Sequence, residues 1–514
     1  MKNIISKFIT KKFNHNYLPK WVFICIILLL ATVVYIYQIG AESLQSDEIY
    51  SVHDAQNLLV WWKSMRPLYY HLLRVWMSIV GTSDSWLRGL SVFFGVGSVF
   101  LIYQLGRFVA AESIGLISAL LLTLSPLFIN HVQEVRMYSL STCLSLGGTL
   151  ALVYAFKYPT NVWIGLWSGL RYLAIMSTPL NAALLLPDLI LITYKFGKQR
   201  KILLNFSKWF LLLGLLLLPN AIELVFNSGA KFMGIKDESG VLKSNPFAFN
   251  FSAYKIIKRL FYLPNTFTAW PLSRPVSNII YWFYNVYSTI SICLLCISVI
   301  QIRRLPKLGW IAVWAFFPLS LIVIVSQISR SLLVDRYLLF ICPYILILLA
   351  AGLVWIGQKW RIKAIIVTIV YGMAVGGGLT RYYKQLDHDN WRSIGKLIDL
   401  NDQLGDTIVV SVPSFFHPPN ARPEIVAGYY YNGSAPIHII QRPWKNEEQI
   451  SALFMQNLPP IKSRLWIIYW QGSLKQYQKF QGDIQNEFNI QKQYEFKKNI
   501  RVMLVTRNSA LLKQ

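Results

Sequence analysis

PLYYHLLRVWMSIV, residues 67–80, decides how this chain threads a membrane. A helix needs about 20 residues to cross the hydrocarbon core, with a usual range of ~17–25. This stretch has fourteen, and His71 and Arg74 sit among them. It reads as an interfacial helix on the outer leaflet, with Trp61, Trp62, Tyr69, Tyr70 and Trp76 leaning toward the headgroups. One extra crossing here would invert every later loop.

Around it the chain is strongly apolar. Of 514 residues, 54% are hydrophobic and 14% charged, with a mean hydropathy of +0.42. That excludes an ordinary water-soluble globule and points to a polytopic α-helical membrane protein. Eleven spans satisfy the length requirement: 21–39, 87–107, 113–130, 138–156, 161–178, 179–195, 203–225, 277–301, 308–328, 335–357 and 362–380. With 67–80 left uncrossed, the basic clusters fall on one side: the leader 1–20, Arg107, Lys157, residues 195–201, 303–307 and 359–363. This is the positive-inside pattern, and it accounts for the net charge of +27 without nucleic acid. The first apolar run has no convincing cleavage site and reads as a retained helix. All five cysteines lie in apolar runs, so neither a disulfide framework nor a zinc cluster is expected in the aqueous parts.

The chain therefore divides into a cytoplasmic leader, a membrane module over 21–380 with outer loops at 40–86 and 226–276, and a tail from 381 to 514. Within the tail, NWRSIGKLIDLNDQ has helical spacing, and TIVVSV, RLWIIYW and RVMLVT read as buried strands. A soluble α/β domain on the extracytoplasmic side is expected, and roughly 130 residues suffice for its own core.

Chemistry gathers at the outer mouth. SLQSDEIYS places Asp47 and Glu48 just beyond the first span, and the short turn NHVQEVRMYS brings His131, Glu134, Arg136 and Tyr138 to the same surface. Charge held that close to lipid is costly unless paired or used. Arg171, Asp188 and Glu223 lie within spans and are expected to face the bundle and neutralise one another.

SDEIYS, RPLYYHLLRVW, SPLFINHVQEVRMYSL and DRYLLFICPYILILLAAG, taken together over roughly residues 20–380, resemble the GT-C membrane glycosyltransferases. More narrowly, they are similar to the protein O-mannosyltransferase and lipid A aminoarabinose transferase group. The resemblance implies an inverting glycosyltransferase of the plasma (inner) membrane. It would take a sugar from a polyprenyl-phosphate lipid donor to a hydroxyl acceptor outside. An attacking hydroxyl needs a carboxylate to take its proton, and the departing phosphate needs fixed positive charge. By resemblance Asp47 is the base, and Glu48 orients the acceptor or the loop. Glu134 shares an acceptor site or a divalent metal ion with Asp47, and Arg136 pairs with an acid or meets phosphate. Arg336, beside Tyr337, and Arg88 are expected at the lipid phosphate, for which a guanidinium offers a bidentate fork. For Arg336 the alternatives are pairing with Asp335 or snorkelling.

Relatives often read HPPL at the start of the interfacial helix, where this chain has Met65, Arg66, Pro67 and Leu68. Arg66 offers charge toward the donor instead, and His71 reads more readily as an interfacial side chain than as a replacement. The loop at 226–276, rich in Lys, Phe and Tyr, is expected to cover the donor. A transporter or flippase is the competing class, but it calls for inverted repeats, and none is visible. A receptor with a sensing tail would not need eleven spans.

Overall fold

The computed structural model describes residues 19–57, 67–223, 253–269, 277–328, 332–384, 390–413, 422–442, 450–461, 463–496 and 500–508. Arg66, Trp61, Trp62 and most of the loop at 226–276 lie outside the described residues.

Helix α1 (Lys20–Ile36) carries the first apolar run, and α2 (Ser46–Gln56) carries the paired acids. The deciding segment is one helix, α3 (Pro67–Val80), packed against α2. Next come α4 (Asp84–Val109), α5 (Glu112–Thr123) and α6 (Pro126–Val132). The last two are bent by 64° at a break where Ser125 Oγ accepts from Phe128 N and Pro126, with no N–H to leave unpaired, opens the new helix. The bundle continues with α7 (Tyr138–Lys157), α8 (Asn161–Ser177), α9 (Leu185–Phe196) and α10 (Arg200–Glu223). It closes with α11 (Ala253–Thr268), α12 (Asn278–Ile300), α13 (Lys307–Ile328), α14 (Cys342–Lys359) and α15 (Arg361–Lys384).

Among the described residues, eight helices are long and apolar enough to cross a membrane, or nine if the bent pair is one span. All eleven expected spans fall on helices. Reaching eleven crossings also requires α1 and α8, each 17 residues and thus at the short end of the usual range of ~17–25. The span expected at 335–357 starts late: residues Asp335–Leu338 form a 3₁₀ turn, and the helix begins at Cys342 with Pro343 in its first turn, where proline is tolerated.

The sequence of α10 shows what surrounds the bundle. Only 11% of its span is buried, yet Leu211, Leu215 and Leu218 stand on its open face, so that face meets lipid. α7 and α14, with 72% and 61% of their spans buried, are central. Helices approach closely where side chains vanish. A Cβ on Gly115 of α5 would stand 2.5 Å from the Tyr103 carbonyl oxygen of α4.

Asp188 and Arg171 lock the interior, as the sequence implies for charges in lipid. Both are fully buried, with Arg171 Nε donating to Asp188 Oδ2 at 2.7 Å and Nη2 to Oδ1 at 3.0 Å. Trp167 and Trp314 donate to the same carboxylate at 2.8 and 2.7 Å, and Arg171 also reaches Ser145 O and Thr149 Oγ1. Four helices, α7, α8, α9 and α13, meet at one ion pair. The side chain of Glu223 lies outside the described residues.

Helix α15 runs to Lys384, past the expected boundary at 380, and the tail opens with α16 (Trp391–Asp399), capped by Asn390. β1 (Thr407–Pro413), α17 (Pro423–Gly428), β2 (Ile437–Arg442), α18 (Ile450–Gln456), β3 (Arg464–Trp470), α19 (Leu474–Gln485), β4 (Phe488–Phe496) and β5 (Ile500–Arg507) complete it. The sheet order is β2-β1-β3-β5-β4, with the first three strands parallel and β4 and β5 antiparallel. An α/β tail is thus present as expected.

Candidate active site

Consecutive residues on a helix point about 100° apart, so an acidic pair in the first turn of α2 cannot send both side chains the same way. Glu48 turns inward and is 1% exposed; the Asp47 side chain turns out and is 47% exposed. Glu48 is saturated. Its Oε2 accepts from Gln45 N at 2.8 Å, in the manner of a capping box, and its Oε1 accepts from Val135 N at 2.8 Å. Arg88 grips both oxygens, Nε to Oε1 at 3.0 Å and Nη2 to Oε2 at 2.9 Å. The remaining Arg88 donors reach the carbonyls of Ile39, Glu42 and Ser43. All five guanidinium N–H groups are engaged. Arg88 therefore has no donor left for a lipid phosphate in this arrangement; it and Glu48 pin the loop after α1 to α4.

Asp47 lies between two arginines. Arg336 Nη1 donates to its Oδ2 at 3.2 Å, and Arg136 Nη2 lies 3.7 Å from the same oxygen. Arg136 also holds the backbone, donating from Nη1 to Asp47 O at 2.8 Å and to Ser51 Oγ at 3.1 Å. In each arginine a buried Nε–H has no hydrogen-bond partner. Burial works against both cations, but Asp47 and Tyr138 outweigh it, so both guanidinium pKa values lie above the ordinary arginine value. The alternative pairing of Arg336 with its neighbour does not occur: Arg259 of α11 takes Asp335 at 3.1 Å. Tyr337 lies under Arg336, with the guanidinium carbon 5.4 Å from the ring centroid.

Glu134 is held in its own turn, accepting from Asn130 Nδ2 at 2.7 Å with His131 Nδ1 at 2.8 Å. Tyr138 is buried at the start of α7 beside the His131 ring. His71 turns back on α3, with Nδ1 2.9 Å from Pro67 O. A divalent metal does not fit Asp47 and Glu134 as arranged here. Asp47 is flanked by cations, Glu134 is bound to His131 and Asn130, and among the described residues no group of three or more His, Cys, Asp or Glu side chains is placed to hold an ion.

Other residues that shape the site carry no signal in the linear sequence. Gln133 Nε2 donates to Tyr35 O and Tyr37 O at 2.9 and 2.8 Å, and its Oε1 accepts from Tyr382 OH at 2.6 Å. It ties α1, the acidic turn and α15 together. The tail seats on α2 and the residues just before it: Leu44 N donates to Tyr430 OH at 2.8 Å, Arg422 N to Tyr50 OH at 2.9 Å, and Arg422 pairs with Asp54.

No protein-family model and no curated protein sequence matches the chain. Solved structures do match. ArnT from Cupriavidus metallidurans bound to undecaprenyl phosphate aligns at TM-score 0.54 with 12% identity, over 95% of this chain and 98% of that one. Its apo state aligns at 0.54 with 10% identity, over 94% and 97%. The Archaeoglobus fulgidus oligosaccharyltransferase tethered to an acceptor peptide aligns at 0.51 with 10% identity, over 93% and 74%. At these identities the likeness is one of fold: it is the GT-C arrangement that the motifs over 20–380 resemble, and the aligned part of the chain extends into the tail.

Proposed function

We propose that the chain is an inverting glycosyltransferase that moves a monosaccharide from a polyprenyl-phosphate donor to a hydroxyl acceptor at the outer face of the membrane. The observation that carries this is the half-exposed Asp47 carboxylate set between Arg336 and Arg136, each with a buried Nε–H lacking an acceptor. The fold shared with a structure holding undecaprenyl phosphate supports a lipid-phosphate donor. A donor phosphate arriving at this mouth competes with Asp47 for Arg336 and supplies the missing acceptors. Asp47, released from that contact, takes the proton of the acceptor hydroxyl. The oxygen attacks the anomeric carbon from the face opposite the phosphate, the carbon–oxygen bond to phosphate breaks, and its electron pair leaves on the lipid phosphate. Arg336 and Arg136 meet that charge as it develops.

The test is incubation of the purified protein with a panel of radiolabelled polyprenyl-phosphate sugars, followed by release of free sugar without acceptor. Consumption of one donor is expected. Folded protein that consumes none of them defeats the reading.

A further inference from the structure

Where the tail meets the membrane module, the structure forms a cleft of about 480 Å³. Part of its lining is a braced frame. Tyr430 OH donates to Asp84 Oδ2 at 2.5 Å, and Arg392 pairs with the same oxygen while donating to Gly40 O and Glu42 O at 3.3 and 3.2 Å. Asp84 thus neutralises Arg392. Of the remaining lining, Asn432 is held by Asp399, its Nδ2 donating to Oδ2 at 3.2 Å, whereas the side chains of Gln56, Thr82, Lys396 and Tyr429 have no hydrogen-bond partner among the described residues. Gln56 is the last residue of the helix whose first turn holds Asp47. At about 1.5 Å per residue, the two lie roughly 14 Å apart along one rigid rod.

We propose that this cleft binds an acidic oligosaccharide, and that this ligand is the acceptor; the second half rests on the transfer reading above. An amide, a hydroxyl and a tyrosine suit sugar hydroxyls and ring faces, and the neutralised frame leaves the Lys396 ammonium as the one cation in excess in the lining. A chain seated there has its far end directed along α2 toward the base.

The experiment is calorimetric titration of the full-length protein in detergent with trigalacturonate and with maltotriose, which needs no donor and so judges the cleft independently of transfer. Trigalacturonate binds about fivefold more tightly, the scale of one partly exposed charge pair. Lys396→Gln removes that preference, Lys396→Arg retains it, and Tyr429→Ala weakens both sugars. Equal affinities in the unmodified protein, or a preference that survives Lys396→Gln, overturn the proposal.

Discussion

Asp47 and Glu48 are adjacent and chemically alike, and the structure employs them oppositely. Glu48→Gln removes the charge that balances the buried Arg88, and breaking a buried pair from one side costs about 3–5 kcal/mol. The variant is expected to lose much of its thermal stability in detergent. Asp47→Asn keeps size and hydrogen bonding but cannot accept the proton. It is expected to melt like the unmodified protein, hold the lipid donor and lose transfer by roughly 10²- to 10⁴-fold. Near-full turnover by Asp47→Asn would remove it as base. At the neighbouring cation, Arg336→Lys keeps charge without the fork, so donor affinity should fall, and fall further in Arg336→Ala. Unchanged donor affinity in folded Arg336→Ala rejects the phosphate assignment. The string SDEIYS points to the acids, but which one faces inward depends on Arg88, 40 positions along the chain, and on the Val135 amide. Arg88 itself reads as a phosphate ligand until its five donors are traced.

Between elements, the Arg171–Asp188 pair joins helices that lipid alone would not drive together. Asp188→Ala strands a buried guanidinium and should cost about 3–5 kcal/mol, whereas Arg171→Met with Asp188→Leu should recover most of it. A melt of Asp188→Ala matching the unmodified protein would show that the pair bears no load. In the tail, burial acts to raise the Asp406 carboxyl, but hydrogen bonds from Arg464, the Gln403 amide and Trp466 outweigh it and hold its pKa below the ordinary aspartate value. A depressed carboxyl contributes stability that is full above its unfolded pKa of about 3.9 and is lost as pH falls through the lower folded value. Protease sensitivity of the tail should therefore rise below about pH 4, and Asp406→Asn should flatten that dependence. An unaltered acid profile in Asp406→Asn places the sensitivity elsewhere. The central strands β1, β3 and β5 are legible because they are buried on both faces and read as unbroken apolar runs. β2 and β4 are edge strands with mixed burial, and IHIIQR and FNIQKQYEF carry too much polar character to stand out.

For the whole molecule, the helices fix which ends share a face. α4 starts at Asp84, beside the tail, and the 23 residues from there to Arg107, at about 1.5 Å each, carry Arg107 about 35 Å away. α7 leaves the site at Tyr138 and ends at Lys157; α14 follows the Arg336 turn and ends at Lys359; α15 returns from Arg361 to the tail. The site and the tail therefore share one end of the bundle, and these basic turns share the other. The sequence foretells that sorting through its lysines and arginines, but not that the tail grips α2, because those contacts join residues more than 300 positions apart. The transfer reading proposed above takes the basic end as cytoplasmic, by positive-inside sorting, and the Asp47 mouth as the outer one. Cysteine labelling tests this directly, after Cys25, Cys293 and Cys296, which are exposed on membrane helices, are replaced by serine. A membrane-impermeant maleimide added to intact cells should label single cysteines placed within 40–57 and 390–413. It should spare those within 303–307 until the membrane is opened. Labelling of 303–307 from outside, with the tail protected, would turn the site toward the cytoplasm and leave an outer-leaflet acceptor with no access to Asp47.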